Sequence, residues 1–223
     1  MKTSFNSLRI SSIILVLLCI GIPARAHETI TSLSEMSKEE TILAYLAFGF
    51  QHILPKGLDH ILFIVSLFLV SPNLKTLLAQ VSAFTVAHSI TLALTLYDIV
   101  SPPAYIVEPL IALTIVYVAL ENIFGRNAPT SRLILVFIFG LIHGLGFAGA
   151  LSTLGLPEQS YLLCLVMFNV GVELGQLTIL LGLYFTLGRY LSQKSWYQQR
   201  AVRPLSAIIL CMACYWTIER LFL

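Results

Sequence analysis

Charge is what this chain has least of. Asp, Glu, Lys and Arg make up 11% of its 223 residues, against 57% hydrophobic, where soluble domains carry roughly 25% charged residues. The mean hydropathy of +0.88 agrees, so most of the surface is expected to face lipid. A net charge of +2, without a basic arm or any interleaving of aromatic and basic residues, excludes a nucleic-acid partner. No G-x-x-x-x-G-K-[ST] occurs, so no loop of that kind is there to cradle a nucleotide. The four cysteines are uninformative: Cys19 lies in the N-terminal segment, and Cys164, Cys211 and Cys214 lie in apolar runs, where each is expected to be a small buried hydrophobe.

What is there begins with a targeting segment. Lys2 and Arg9 precede an apolar stretch at 10–22, and Ala24-Arg25-Ala26 reads as a cleavage site. Residues 1–26 are therefore expected to be a signal peptide and 27–223 a single transmembrane domain, with His27 as the mature N-terminus, outside the cytoplasm. Spans need about 20 apolar residues. Runs at 74–97, 104–124, 132–154, 161–187 and 204–223 qualify, joined by short polar connections. No soluble domain fits between them, and no internal repeat stands out.

Residues 41–71 do not follow this rule. They form two short apolar runs, 41–54 and 59–71, joined by Pro55-Lys56-Gly57-Leu58. Basic residues set orientation: Lys75, Arg126, Arg132, Arg189, Lys194, Arg200 and Arg203 fall in alternate connections, while those at 98–103 and 155–160 carry Asp98 and Glu158 instead. With the basic loops cytoplasmic and His27 outside, 41–71 must cross once in net. The run 41–54 is then a re-entrant or interfacial helix and 59–71 completes the crossing. The expected fold is an all-α bundle of about six transmembrane helices plus that short helix, multi-pass in the cell's inner membrane. Irregular backbone at such depth is tolerated where it lines a cavity.

Polar residues at membrane depth are a functional hypothesis by default. At ~1.5 Å rise per residue, His52, Asp59 and His60 fall towards the outer face, His88 and Glu108 in the outer half, and His143 near the middle. Asn169 and Glu173 share one helix face with Gln176, at i, i+4 and i+7. Ser82, Thr85, His88 or Ser89, and Thr95 make a similar stripe. Gly140, Gly144, Gly146 and Gly149 around His143, and Gly171 and Gly175 around Glu173, are expected to let helices approach closely. Glu121 and Asn122 read as structural or interfacial, and Glu219 and Arg220 as reaching water.

Imidazole with carboxylate suits borderline divalent ions, Ni²⁺, Co²⁺, Zn²⁺ or Cu²⁺; the lack of thiolate argues against Cu⁺, and four imidazoles are more than Mg²⁺ or Ca²⁺ would use. Two functions fit. A permease would take a divalent ion from the outside at His52, Asp59 and His60, pass it to His88, His143, Asn169 and Glu173, and use Glu108 to draw it in. An intramembrane zinc hydrolase would hold zinc on His60, His88 and His143, with Asp59 or Glu173 as base. A third reading, a cluster that only holds helices together, makes poor use of such groups, since intramembrane hydrogen bonds average about 0.6 kcal/mol.

Five ordered motifs then carry a resemblance. His52-x4-Gly57-x-Asp59-His60, Phe84-Thr85-x-Ala87-His88-Ser89, Glu108 with Ala119-Leu120-Glu121-Asn122, Phe139-Gly140-Leu141-Ile142-His143-Gly144-x-Gly146-Phe147-Ala148 and Phe168-Asn169-x-Gly171-Val172-Glu173-Leu174-Gly175-Gln176 resemble the HupE/UreJ family. The resemblance implies a small membrane protein linked to nickel or cobalt supply, with Ni²⁺ or Co²⁺, or Zn²⁺, as substrate. It covers about residues 49–176. The larger nickel/cobalt permeases carry His-x4-Asp-His; here His52 and Asp59-His60 are two residues further apart.

Overall fold

The computed structural model describes residues 37–70, 73–125, 129–153 and 161–222. The expected signal peptide and His27 lie outside the described residues. Every described element is helical.

Helix α1 (Lys38–Ile53) begins with a capping box: Ser37 Oγ accepts from the Glu40 N–H at 3.3 Å, and Glu40 Oε2 accepts from the Ser37 N–H at 2.8 Å. Such a cap contributes about 1 kcal/mol. The helix stops because Pro55 pushes its predecessor out of the helical region; Leu54 is extended, with φ −121° and ψ 118°. Gly57 completes the turn, packed so tightly that a Cβ would overlap the His52 carbonyl. Helix α2 (Leu58–Val70) then leaves at 64° to α1. Next come α3 (Leu74–Leu96), capped by Asn73, α4 (Ala104–Phe124), ended by left-handed Gly125, α5 (Pro129–Thr153), α6 (Tyr161–Leu183) and α7 (Arg203–Phe222). The polar connection before α7 is itself partly coiled, with π-helical turns at Tyr184–Gly188 and Gln198–Val202 around a single turn at Arg189–Leu191.

Among the described residues α3, α4, Tyr161–Gly188 and Gln198–Phe222 are each long and apolar enough to cross a bilayer. The α1–α2 pair passes the same test as one broken span. In α5 the apolar segment Arg132–Phe147 is shorter. The chain is thus an all-helical membrane protein with four to five candidate spans, where its hydropathy alone leads to about six.

Close backbone approach decides the pairing. Gly49 of α1 lies against the Phe168 carbonyl of α6, and Gly171 of α6 against the Leu46 carbonyl of α1. Gly144 of α5 meets the His88 backbone of α3 in the same way. So α1 lies along α6 and α3 along α5, each pair running in one direction, while α4 packs on α7 in opposite directions. Helix α1, expected as a re-entrant or interfacial piece, is embedded in the bundle with Tyr45, Gly49 and Ile53 buried.

Helix α2 threads between the pairs and touches α1, α3, α4, α6 and α7. Its Phe63, Ile64, Leu67 and Phe68 pack with Phe84 and Ile115 in the larger core. Lipid is as apolar as these side chains, so dispersion and close fit hold them together rather than flight from water. Cys164 is buried as expected, but Cys211 and Cys214 are exposed on α7. They sit beside exposed Ile208, Met212 and Tyr215 on the helix's outward face.

One end of the bundle is tied by Asn122. Its Nδ2 donates to the Ser66 carbonyl at 2.8 Å and to Ser206 Oγ at 3.3 Å, and its Oδ1 accepts from Arg132 at 3.3 Å. Its carbonyl accepts from Gln198 at 3.1 Å, and Arg132 Nε faces Glu121 Oε2 at 3.6 Å. That knot joins α2, α4, α5 and α7.

Candidate metal centre

The break between α1 and α2 brings two helix ends together. His52 lies in the last turn of α1 and His60 in the first turn of α2, with ring centroids 4.8 Å apart. His88 of α3 stands 6.0 Å from His52 and 6.1 Å from His60, and His143 of α5 stands 5.0 Å from His60. One ring nitrogen from each of His52, His60 and His88 lies within 4.8 Å of the others. On a tetrahedral ion with ~2.1 Å bonds the nitrogens would be ~3.4 Å apart; side-chain rotations of under about 1 Å per ring close that difference. Aromatic rings wall the cluster, Phe147 against His52 at 3.8 Å and Phe84 against His143 at 5.0 Å.

The decisive property is what these rings do not do. His52 Nε2, His60 Nε2, His88 Nε2 and His143 Nδ1 are all buried without a hydrogen-bond partner. A buried polar atom left unpaired costs about 1–3 kcal/mol, so four in one place call for a ligand.

Two partners also aim the free atoms. Thr114 Oγ1 donates to the Ile111 carbonyl at 2.7 Å, which leaves it to accept from His143 Nε2–H at 3.0 Å. The lone pair of His143 is then on Nδ1. Likewise Asn169 Nδ2 donates to the Leu165 carbonyl at 2.8 Å, so Asn169 Oδ1 accepts from His88 Nδ1–H at 3.4 Å and the lone pair falls on Nε2. Hydrogen bonds that set tautomer and orientation in this manner are typical of metal-binding imidazoles.

A cavity of about 570 Å³ opens onto the cluster, lined by His52, His60 and His143 within and by Asp59, Glu108, Lys56 and Arg220 nearer its mouth. Arg220 was expected to reach water at the end of α7. It turns into the cavity instead, donating to both carboxylate oxygens of Asp59 at 3.1 and 3.0 Å and to the Glu108 carbonyl at 3.2 Å. The pair is only 20% and 25% exposed, because α7 packs antiparallel on α4 and delivers its last turn beside the start of α2.

Of the eight residues singled out from sequence, the four histidines converge, with Asp59 and Glu108 at the mouth. Asn169 reaches the cluster through His88. Glu173 stands apart: one turn further along α6, about 6 Å, it faces a second cavity of about 360 Å³ between α3 and α6. Its carboxylate accepts from Ser82 Oγ at 2.7 Å and from Thr85 Oγ1, which also contacts Gln176 Oε1 at 2.8 Å. Thr114 was not singled out; a lone threonine in an apolar run has no pattern that distinguishes it.

The family described as HupE / UreJ protein matches residues 27–220. No curated protein and no solved structure matches the chain. Membership carries a role in metal transport or in accessory handling of metal. A match over nearly the whole length, joined to a cluster of aimed and unpaired imidazoles, leads to one conclusion: this chain belongs to the HupE/UreJ family.

Proposed function

We propose that the protein is a permease for a divalent transition-metal ion, Ni²⁺ or Co²⁺ before Zn²⁺, which it takes from the extracytoplasmic side of the cell's inner membrane. In this reading α5 completes six crossings, and the cavity mouth at Asp59 and Glu108 faces outward. The single observation that carries it is the set of four buried, unpaired imidazole nitrogens, three of them on histidines that line the cavity, with His88 beside His52 and His60. Neutral nitrogen donors suit these ions and are wasted on alkali or alkaline-earth ions.

The steps follow from the geometry. Asp59 and Glu108 lower the potential at the mouth and draw in a hydrated cation. His52, His60 and His88 exchange its water for imidazole, with His143 held ready beside His60 by Thr114. Phe84 and Phe147 wall the imidazoles, whose unpaired nitrogens are buried. The second cavity is lined by Asn169, which His88 contacts, and offers oxygen donors at Glu173, Ser82 and Thr85 for onward passage. The membrane potential supplies about 2.3 kcal/mol per charge per 100 mV, enough to draw a dication inward.

The hydrolase reading loses support. The two carboxylates it would use as base are already engaged, Asp59 by Arg220 and Glu173 by Ser82 and Thr85. The test is accumulation of Ni²⁺ and Co²⁺ by cells expressing the wild type, His60→Ala or His143→Ala. Uptake above an empty-vector control, lost in both variants at equal membrane abundance, supports the permease. No uptake, with one zinc retained tightly by the purified protein, turns the assignment to an enzyme.

A further inference from the structure

A cation cavity with an arginine in its mouth poses a problem. Arg220 lines the same cavity as His52, His60 and His143 and holds both oxygens of Asp59. A guanidinium there repels the very ions that the carboxylates attract. It is also the group that an incoming cation must compete with for Asp59.

Resting on the permease reading, we propose that Arg220 is the charge-selecting residue of the mouth: a tethered cation that only a multivalent ion displaces from Asp59. The competition is between charges at nearly equal distances from one carboxylate. Na⁺ or K⁺ brings no more charge than the guanidinium and lacks the N–H donors with which Nη2 reaches both Asp59 oxygens and Nη1 the Glu108 carbonyl. A divalent ion brings twice the charge and wins. Mg²⁺ and Ca²⁺ would pass this first test and fail the second, because the donors beyond are imidazole nitrogens. Two filters in series, one for charge and one for ligand type, give a selectivity that neither has alone.

The surroundings suit a residue that moves. Arg220 is partly exposed, and its guanidinium lies 5.5 Å from the Trp216 ring centre one turn earlier on α7. With the Glu108 carbonyl also in reach, the side chain keeps an aromatic face and an acceptor after Asp59 has let go. It acts through Asp59, as a positioning residue, and touches no ion.

The experiment compares the concentration dependence of Co²⁺ uptake, per unit of membrane protein, for wild type, Arg220→Gln and Arg220→Lys, with and without excess NaCl at fixed ionic strength. His60→Ala runs in parallel. Arg220→Gln frees Asp59, so its half-saturating Co²⁺ concentration is expected to fall several-fold, and Na⁺ should inhibit it at concentrations the wild type ignores. Arg220→Lys, a single-point hold, should shift in the same direction by less, and it replaces Arg220→Gln should that variant fail to accumulate. Unchanged half-saturation and unchanged Na⁺ sensitivity, with only abundance altered, would make the pair a brace between α2 and α7 and overturn the proposal. If wild-type uptake does not depend on His60, the permease reading fails separately. The filter is then judged on Co²⁺ titration of the purified chain, where equal affinity in wild type and Arg220→Gln overturns it.

Discussion

Among the described residues, two buried polar clusters, one around Asn122 and one around His60, are built on opposite rules. Around Asn122, both ends of the amide and its carbonyl are used, and of the buried atoms there without a hydrogen bond, Ser66 Oγ, Arg132 Nε and Glu121 Oε2, the last two face each other as an ion pair at 3.6 Å. Around His60, four imidazoles converge and each keeps one nitrogen unpaired. The first arrangement ties four helices together, its amide satisfied and its two opposite charges facing each other. The second costs stability and is retained only if something binds there. Burial of polar groups does not mark function; unpaired burial with enforced orientation does.

The largest expected effect separates the clusters outright. His60→Ala should abolish metal uptake while leaving abundance and helicity near wild type, since it removes an unpaired group. Asn122→Ala should do the reverse, costing about 1–3 kcal/mol as Arg132 and the Ser66 carbonyl lose a partner, with normal uptake per folded molecule. Circular dichroism melts in detergent, set beside uptake, check both. If the two variants change places, the contrast between brace and site is wrong.

A smaller effect is expected at the residues that aim the rings. Thr114→Val leaves His143 free to rotate and to exchange tautomers, and should weaken Co²⁺ binding about tenfold, the lower end for loss of such a partner, with little change in melting. Asn169→Ala acts on His88 through a longer contact of 3.4 Å and should weaken binding less, by a few-fold. Titration of the purified variants with Co²⁺ measures both. An unchanged affinity in Thr114→Val would mean that His143 does not take part.

The smallest effect belongs to Glu173→Gln. Its carboxylate is engaged by Ser82 and Thr85 in the second cavity, and an amide of the same shape keeps the packing. Co²⁺ affinity at the imidazoles should stay within about twofold of wild type by the same titration, even if the rate of passage falls. A tenfold loss of affinity would join the two cavities into one site.

Much of this was legible from the sequence, for identifiable reasons. Helix limits follow from apolar runs and their breakers: the expected span 104–124 coincides with α4, between Pro103 and Gly125. The disruption at Pro55-Lys56-Gly57 was legible because proline and glycine act locally. The convergence of four histidines was legible because imidazole is costly in lipid wherever it points. Pairings between distant helices were not. Asp59 and Arg220 are 161 residues apart, and nothing local tells the last turn of α7 to fold back into a cavity. Glu173 shares a helix face with Asn169, and periodicity alone could not separate them; only the neighbouring helix, offering His88 to one and Thr85 to the other, does. The outward placement of Cys211 and Cys214 was equally hidden, since a lipid-facing and a core-facing cysteine occupy the same kind of apolar run.

The most direct measurement is X-ray absorption of Co²⁺ bound to the purified chain in lipid nanodiscs, compared with His60→Ala. The expected spectrum shows at least three nitrogen ligands near ~2.1 Å with the outer-shell scattering of imidazole rings, reduced in the variant. A first shell made of oxygen alone, identical in both proteins, would contradict the claim that the unpaired imidazoles are there to hold metal.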